Sequence, residues 1–228
     1  MLSISDFYHA LWLSLVVSGS STVIGALVGI PLGTALAEFS FPGKRATLTV
    51  IHAFMGLPPV VVGIFTYLVI RRSGTLGGLG LIYTIPAMVI VQVILATPII
   101  AGFTHASLED VDPRLGLQAQ SLGATRAQAM LTKAREARAG LVAAVIAGFG
   151  RVIAEVGAVM IVGGALSHQT DTLTTLAVKL TRQGRAKIAL LVGVVLITLA
   201  VVVNVFLTRL QVDKGRREVE KRVTGYVD

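Results

Sequence analysis

The chain alternates long apolar runs with short polar ones. Five stretches are almost free of charge, at about residues 11–37, 48–70, 79–103, 141–166 and 188–207. An α-helix rises 1.5 Å per residue, so about 20 apolar residues cross the hydrocarbon layer of a bilayer. The pattern therefore predicts an all-α, polytopic membrane protein, with five transmembrane helices in a single domain over residues 1–228. The first run reads as a retained span. Residues 1–10 hold no Lys or Arg, and the run is longer than the apolar region of a cleaved signal.

Composition agrees with the pattern. Charged residues make up 14% of the chain, against roughly 25% in a soluble domain. Cysteine is absent, which excludes disulfides, thiolate metal sites and a cysteine nucleophile. The net charge of +8 would suggest nucleic acid in a soluble chain, but no basic stretch is interleaved with aromatics. In a membrane protein such an excess marks cytoplasmic loops facing anionic lipid. Lys44, Arg45, Arg114, Arg126, Lys133, Arg135 and Arg138 share one side with the tail residues Arg209, Lys214, Arg216, Arg217, Lys221 and Arg222. Arg71, Arg72, Lys179, Arg182, Arg185 and Lys187 lie on the other. The richer side should be cytoplasmic, which puts the N-terminus outside and the C-terminus inside, although Arg71 and Arg72 run against that trend. On the outer side, residues 74–80 form a short Gly-rich loop. Residues 167–187 show helical spacing.

The long cytoplasmic loop, residues 106–140, can be parsed from its caps. Asp112 before Pro113 is an N-cap with proline in the first turn. A helix from Pro113 to Leu122 would stop at Gly123, a left-handed C-cap. Thr125 and Gln128 then have capping-box spacing for a second helix, Arg126 to about Ala137. Small Ala119 and Gly123 would allow close approach, and Leu115, Leu117 and Leu122 would supply apolar contact. Such an elbow suits either docking onto a second protein or an amphipathic hairpin lying on lipid.

Inside the membrane, Ser21, Gly25, Gly29, Gly33 and Ala37 recur every four residues on the first span. This ladder is read as close static packing. Pro58 and Pro59 remove backbone donors from the second span and predict either a break that lines a pathway, the favoured reading, or a simple kink. Pro86 and Pro98 read as ordinary kinks. Arg151 and Glu155 are one helical turn apart near the middle of the fourth span, where each alone would cost roughly 2.5–3.5 kcal/mol. They predict an internal ion pair that either lines the path or locks the span in place. The four histidines are scattered, and Glu109, Asp110 and Asp112 fit a solvated helix start better than a metal site. No catalytic constellation is evident. Lys44 follows Gly43 without the glycine five residues earlier that a phosphate-binding loop needs.

Gln118-Ala119-Gln120, two residues and Gly123 resemble the cytoplasmic loop of ABC-importer permeases, written Glu-Ala-Ala, three residues, Gly. Gln118 and Gln120 replace the usual Glu and second Ala, the spacing to Gly123 is one residue shorter than in the pattern, and the later Leu-Pro is absent. Met55-Gly56-Leu57-Pro58-Pro59-Val60-Val61-Val62-Gly63 resembles the second span of tungstate permeases. Thr104-His105-Ala106, Asp110-Val111-Asp112-Pro113-Arg114 and Thr172-Leu173-Thr174-Thr175 are similar to them too. Arg151 through Glu155-Val156-Gly157-Ala158 is shared more widely with molybdate and sulfate permeases. The resemblance, over about residues 25–187, implies an ABC importer permease for an oxyanion, tungstate before molybdate or sulfate. It implies a homodimer, two ATPase subunits that hold ATP and Mg, and an external oxyanion-binding protein in a bacterial or archaeal cell membrane. Leu117, Gln118, Ala119, Ser121, Leu122, Gly123 and Ala124 would couple to the ATPase. Pro58, Pro59, Arg151 and Glu155 are candidates for the path. No cofactor is expected on this chain, and no role as an enzyme. A transporter or channel working alone is the rival class. Against it, Glu155 is the one deep acid and five spans do not divide into a two-fold repeat.

Overall fold

Uninterrupted apolar sequence becomes uninterrupted helix in three places. In the computed structural model, which describes residues 4–224, these are α1 (Ile4–Glu38), α4 (Ile85–Glu109) and α10 (Ala186–Thr224), the last apolar in sequence as far as residue 207. The Thr84 side chain accepts from the Ala87 amide to cap α4, and Pro86 sits in its first turn. The other two runs fold as bent pairs. The second comprises α2 (Lys44–Met55) and α3 (Pro59–Ile70), turned by 100°. The fourth comprises α7 (Arg138–Ile153) and α8 (Gly157–Gly163), turned by 61°. Between the long elements lie α5 (Pro113–Ser121), α6 (Arg126–Glu136) and α9 (Leu173–Arg182). The side chains of the basic tail beyond Arg209 lie outside the described residues.

Several sequence-based boundaries need correction. The fourth span is not one helix. The third starts at Ile85 and not near residue 79, because Leu79 ends a short 3₁₀ turn and both Gly80 and Tyr83 have positive φ. The first and last helices run past their apolar stretches at both ends, since helical hydrogen bonding continues once the chain leaves hydrocarbon.

The glycine ladder sets the central contact. A Cβ built on Gly25 would lie 3.2 Å from Ala96 Cβ, one on Gly29 3.0 Å from the Thr97 carbonyl, and one on Gly33 2.4 Å from the Ala101 carbonyl. Backbone meets backbone there, so α1 and α4 pack as one unit, as the static reading of the ladder requires. Val17, Leu95, Ala96 and Ile100 join Val62, Val152, Ala158 and Val162 in the core around that contact. At one end of α1, Leu173, Leu176 and Leu180 of α9 pack with Ala10 and with Ala189 and Val192 of α10. At the other, Leu108, Val111 and Ala137 close over Ala37, and Lys133 of α6 pairs with Glu38. The 35 residues of α1 separate these two ends by about 52 Å.

Gly33→Ala should force α1 and α4 apart and destabilise the fold by about 1–3 kcal/mol. Thermal unfolding of the purified chain in detergent reads this. Gly193→Ala, whose Cβ meets nothing within 4 Å, should leave the midpoint unchanged.

Candidate functional site

The break in the fourth span is built from polar contacts that reach it from three directions. The α7 ladder stops at Ile153, and α8 restarts at Gly157. Backbone groups freed inside a membrane need partners from the protein. The Val152 carbonyl accepts from Gln92 Nε2 of α4 at 3.1 Å, and Ser21 Oγ of α1 donates to Gln92 Oε1 at 2.9 Å. The Glu155 carbonyl accepts from Thr174 Oγ1 of α9 at 3.0 Å. Glu155 Oε1 accepts from the Ala158 amide at 3.0 Å and so caps α8. Gln92, Ser21, Thr174 and Glu155 are all buried. Ser21 is the midpoint of α1, so this junction lies at mid-depth.

Arg151 and Glu155 were expected one turn apart on a continuous helix. They stand instead on either side of the break, yet Arg151 Nη1 still reaches Glu155 Oε2 at 3.1 Å. The Glu155 side chain is 6% exposed and that of Arg151 32%. A guanidinium open to that degree at mid-depth faces water or another protein, because lipid would leave its donors without partners.

The second break lies against the first. Pro58 is extended (φ −62°, ψ 121°), and Pro59 opens α3, where the amide it lacks would be unpaired in any case. A Cβ on Gly157 would come within 2.7 Å of Val60 Cγ2, and one on Gly63 within 2.7 Å of Ala158 Cα. The starts of α3 and α8 are therefore packed together. This brings Pro58 and Pro59 to the same region as Arg151 and Glu155. Pro58 is exposed and Pro59 half-buried.

At the far end, the elbow forms from the caps read in the sequence. Asp112 Oδ1 accepts from the Arg114 amide at 2.8 Å. Helix α5 is closed by Ala124 N to Ala119 O at 3.0 Å and Gly123 N to Gln120 O at 2.9 Å. This paired closure needs a left-handed residue, and Gly123 has φ +92°. Thr125 and Gln128 exchange both capping-box bonds. Leu122 ends the helix as its C-cap and not within it, a one-residue difference. Leu115 packs inward beside Leu108 and Val111. Leu117 is 65% exposed and Leu122 89%. Gln118, Ser121 and Gly123 are also exposed, and Ala119 and Ala124 half-buried. Among the described residues no group of His, Cys, Asp or Glu has the arrangement of a metal site.

Sequence reasoning missed Gln92 and gave Thr174 no chemical role. A single amide side chain in an otherwise apolar span was the available signal for Gln92. Thr174 carried none of its own, because its partner is a backbone carbonyl 19 residues away.

The family model for the binding-protein-dependent transport system inner membrane component matches residues 29–215. The chain belongs to this family. It is a multi-pass membrane permease subunit of the ABC-importer type, a transport component. A probable anion ABC transporter permease of Haloferax volcanii is 37% identical over 84% of both chains. A tungstate uptake system permease protein, TupB, of Peptoclostridium acidaminophilum is 35% identical over 90% of both. In fold, the permease resembles a chain of the MetNI methionine ABC transporter, with a TM-score of 0.70 at 19% identity, covering 89% of this chain and 94% of that one. It also resembles a chain of a bacterial alginate ABC transporter in complex with a pentasaccharide-bound periplasmic protein. There the TM-score is 0.74 at 21% identity, covering 91% of this chain and 78% of that one.

Gln92→Leu would remove one hydrogen bond from the Val152 carbonyl, which keeps the Glu155 amide, and one from the Ser21 hydroxyl, which keeps the Ser18 carbonyl, at a cost of about 0.5–1.5 kcal/mol for each bond. A lowered thermal midpoint in detergent is expected. An unchanged midpoint would show that the break does not depend on this clamp.

Proposed function

We propose that the permease imports an oxyanion, tungstate in the first instance, as the membrane part of an ATP-driven transporter. The sustained likeness to a tungstate uptake permease, 35% identity over 90% of both chains, carries the choice of anion. Sulfate and molybdate permeases match at lower identity, 29% and 30%, and these anions are the runners-up. The end of the bundle with α5 and α6 faces the cytoplasm, as the distribution of Lys and Arg favours. The end with α9 and the start of α1 faces outward.

Side chains of the elbow and of the two breaks support this reading. The elbow offers Leu117 and Leu122 to a cytoplasmic partner, and small Ala119 and Gly123 let that partner approach closely. Lys133 and Glu38 fasten the elbow to α1, so a push on it reaches the spans. The partner is an ATPase subunit, two per transporter, which holds the ATP and Mg. Two copies of the permease enclose the path, and an external binding protein delivers the anion to their outward face. Pro58, Pro59, Arg151 and Glu155 line the path where the two broken spans meet. The exposed third of Arg151 attracts the anion. Glu155 holds the guanidinium and weakens its grip, so that the anion can leave. ATP drives the cycle by binding one state of the assembly more tightly than the other, the only way a ligand shifts an equilibrium.

Co-expression with an ABC-importer ATPase of the same organism should yield a stable complex of equal numbers of the two subunits. Reconstituted with its binding protein, that complex should take up tungstate on addition of ATP, followed by elemental mass spectrometry. Uptake of molybdate or sulfate in its place would reassign the anion. A folded chain that never associates with an ATPase would defeat the whole reading. Gly123→Val puts a β-branched residue at φ +92°, a conformation that disfavours it, and should leave ATP hydrolysis running without uptake. Arg151→Gln should assemble normally and lose uptake. Loss of expression would assign the pair a purely structural role.

A further inference from the structure

The outer helix α9 is joined to the mid-membrane break by its first turn and borders a polar pocket lined from Asp171 to Arg185. Its first turn is buried inside the bundle, with Leu173, Thr174 and Thr175 each at most 5% exposed. The Leu173 amide donates to Ser14 Oγ of α1 at 2.8 Å. Thr174 Oγ1 donates to the Glu155 carbonyl, and it lies 2.8 Å from Thr172 Oγ1. A hydroxyl has one proton, so Thr174 receives that second bond from Thr172. Further along the same helix, Lys179 Nζ donates to Asp171 Oδ2 at 2.8 Å and to Ser167 Oγ at 2.5 Å. These residues line an open polar pocket of about 210 Å³ with Asp6, His168 and Arg185. His168 Nε2 and Asp6 Oδ1, 2.6 Å apart, tie the pocket to the start of α1.

We propose that α9 is a lever between the outer face and the break in the fourth span, and that Thr174 is the positioning residue that joins them. The inference rests on the outward placement of α9 and the ATP-driven cycle proposed above. A short helix with Leu173, Leu176 and Leu180 buried against α1 and α10 moves as a unit and does not bend. A partner that shifts Ser167, Asp171 or Lys179 therefore shifts Thr174. Thr174 holds the main chain of the residue whose carboxylate pairs with Arg151 and caps α8. A change at the pocket thus arrives at the guanidinium without any contact between the partner and the path. The wanted partner surface is polar and hydrogen-bonding, matched to Ser167, His168 and Lys179, and the external binding protein is the partner that meets it.

The test uses the complete transporter in proteoliposomes and reads ATP hydrolysis with and without anion-loaded binding protein. Thr174→Val keeps the side-chain shape and removes the donor. The ratio of stimulated to basal hydrolysis should fall about fivefold, the factor carried by one ordinary hydrogen bond. Thr174→Ser should restore it. Lys179→Gln, which removes the charge from the pocket and leaves the Thr174 hydroxyl in place, should lower the same ratio. If Thr174→Val stimulates like the wild type, the lever is wrong. It is also wrong if stimulated and basal rates fall together with the thermal midpoint and Ser does not rescue, because that is loss of folding. If Thr174→Val proves too unstable to reconstitute, Lys179→Gln decides: a wild-type ratio there overturns the proposal. A wild-type transporter whose hydrolysis ignores the binding protein would instead refute the ATP-driven reading on which the lever rests.

Discussion

The governing constraint is that no backbone amide or carbonyl can be left without a partner at membrane depth. Each such group costs several kcal/mol in hydrocarbon. A continuous helix meets the constraint by itself, and α1, α4 and the apolar part of α10 do so. A broken span does not, and among the described residues there are two. Where the fourth span breaks, the Val152 carbonyl takes an amide from α4 beside the Glu155 N–H, the Glu155 carbonyl takes a hydroxyl from α9, and the Ala158 amide takes the carboxylate of Glu155 itself. The second span meets the constraint differently. Pro59 has no amide to satisfy at the start of α3. One break is clamped by partners, and the other avoids part of the need for them.

That difference explains why α1 and α4 are packed so closely. Gln92 can reach the Val152 carbonyl only if α4 is fixed relative to α7, and Ser21 orients the Gln92 amide from α1. The orientation depends on an approach that only small residues permit, with Gly25, Gly29 and Gly33 all against α4. The ladder is therefore more than filler. It holds the frame within which a polar clamp of three elements can form at bonding distance.

The legibility of the chain follows the range of its interactions. The elbow could be read almost to the residue because each of its signals is local. Asp112 acts on an amide two residues on, Thr125 on one three residues on, and Gly123 on its own φ. The count of apolar runs was legible for the same reason, since hydropathy is a property of a window. The bend in the fourth span was not. No proline marks residues 152–158, and the helix is released by partners 60 and 19 residues distant. For the same reason the pairing of Arg151 with Glu155 was legible from spacing, but its geometry across a break was not. The resemblance to oxyanion permeases pointed to the region around Arg151, and the physical reason for its form emerged only in three dimensions.

The unequal exposure of the pair bears on how a transporter could use it. A fully buried and fully paired guanidinium would have nothing to offer an anion. A fully exposed one would hold a dianion too tightly to release it within a cycle. Glu155 is nearly buried and divides its two oxygens between the Arg151 guanidinium and the Ala158 amide. Its position is thereby fixed to the start of α8. Arg151 stands on the last turn of α7, on the other side of the break. Any change in the angle between α7 and α8 must then stretch or tighten the 3.1 Å contact, and with it the share of guanidinium charge left for a ligand. On the proposed reading of Arg151 as an anion contact, a break that is clamped but not continuous would make affinity depend on helix geometry, which a straight fourth span carrying the same two residues could not do.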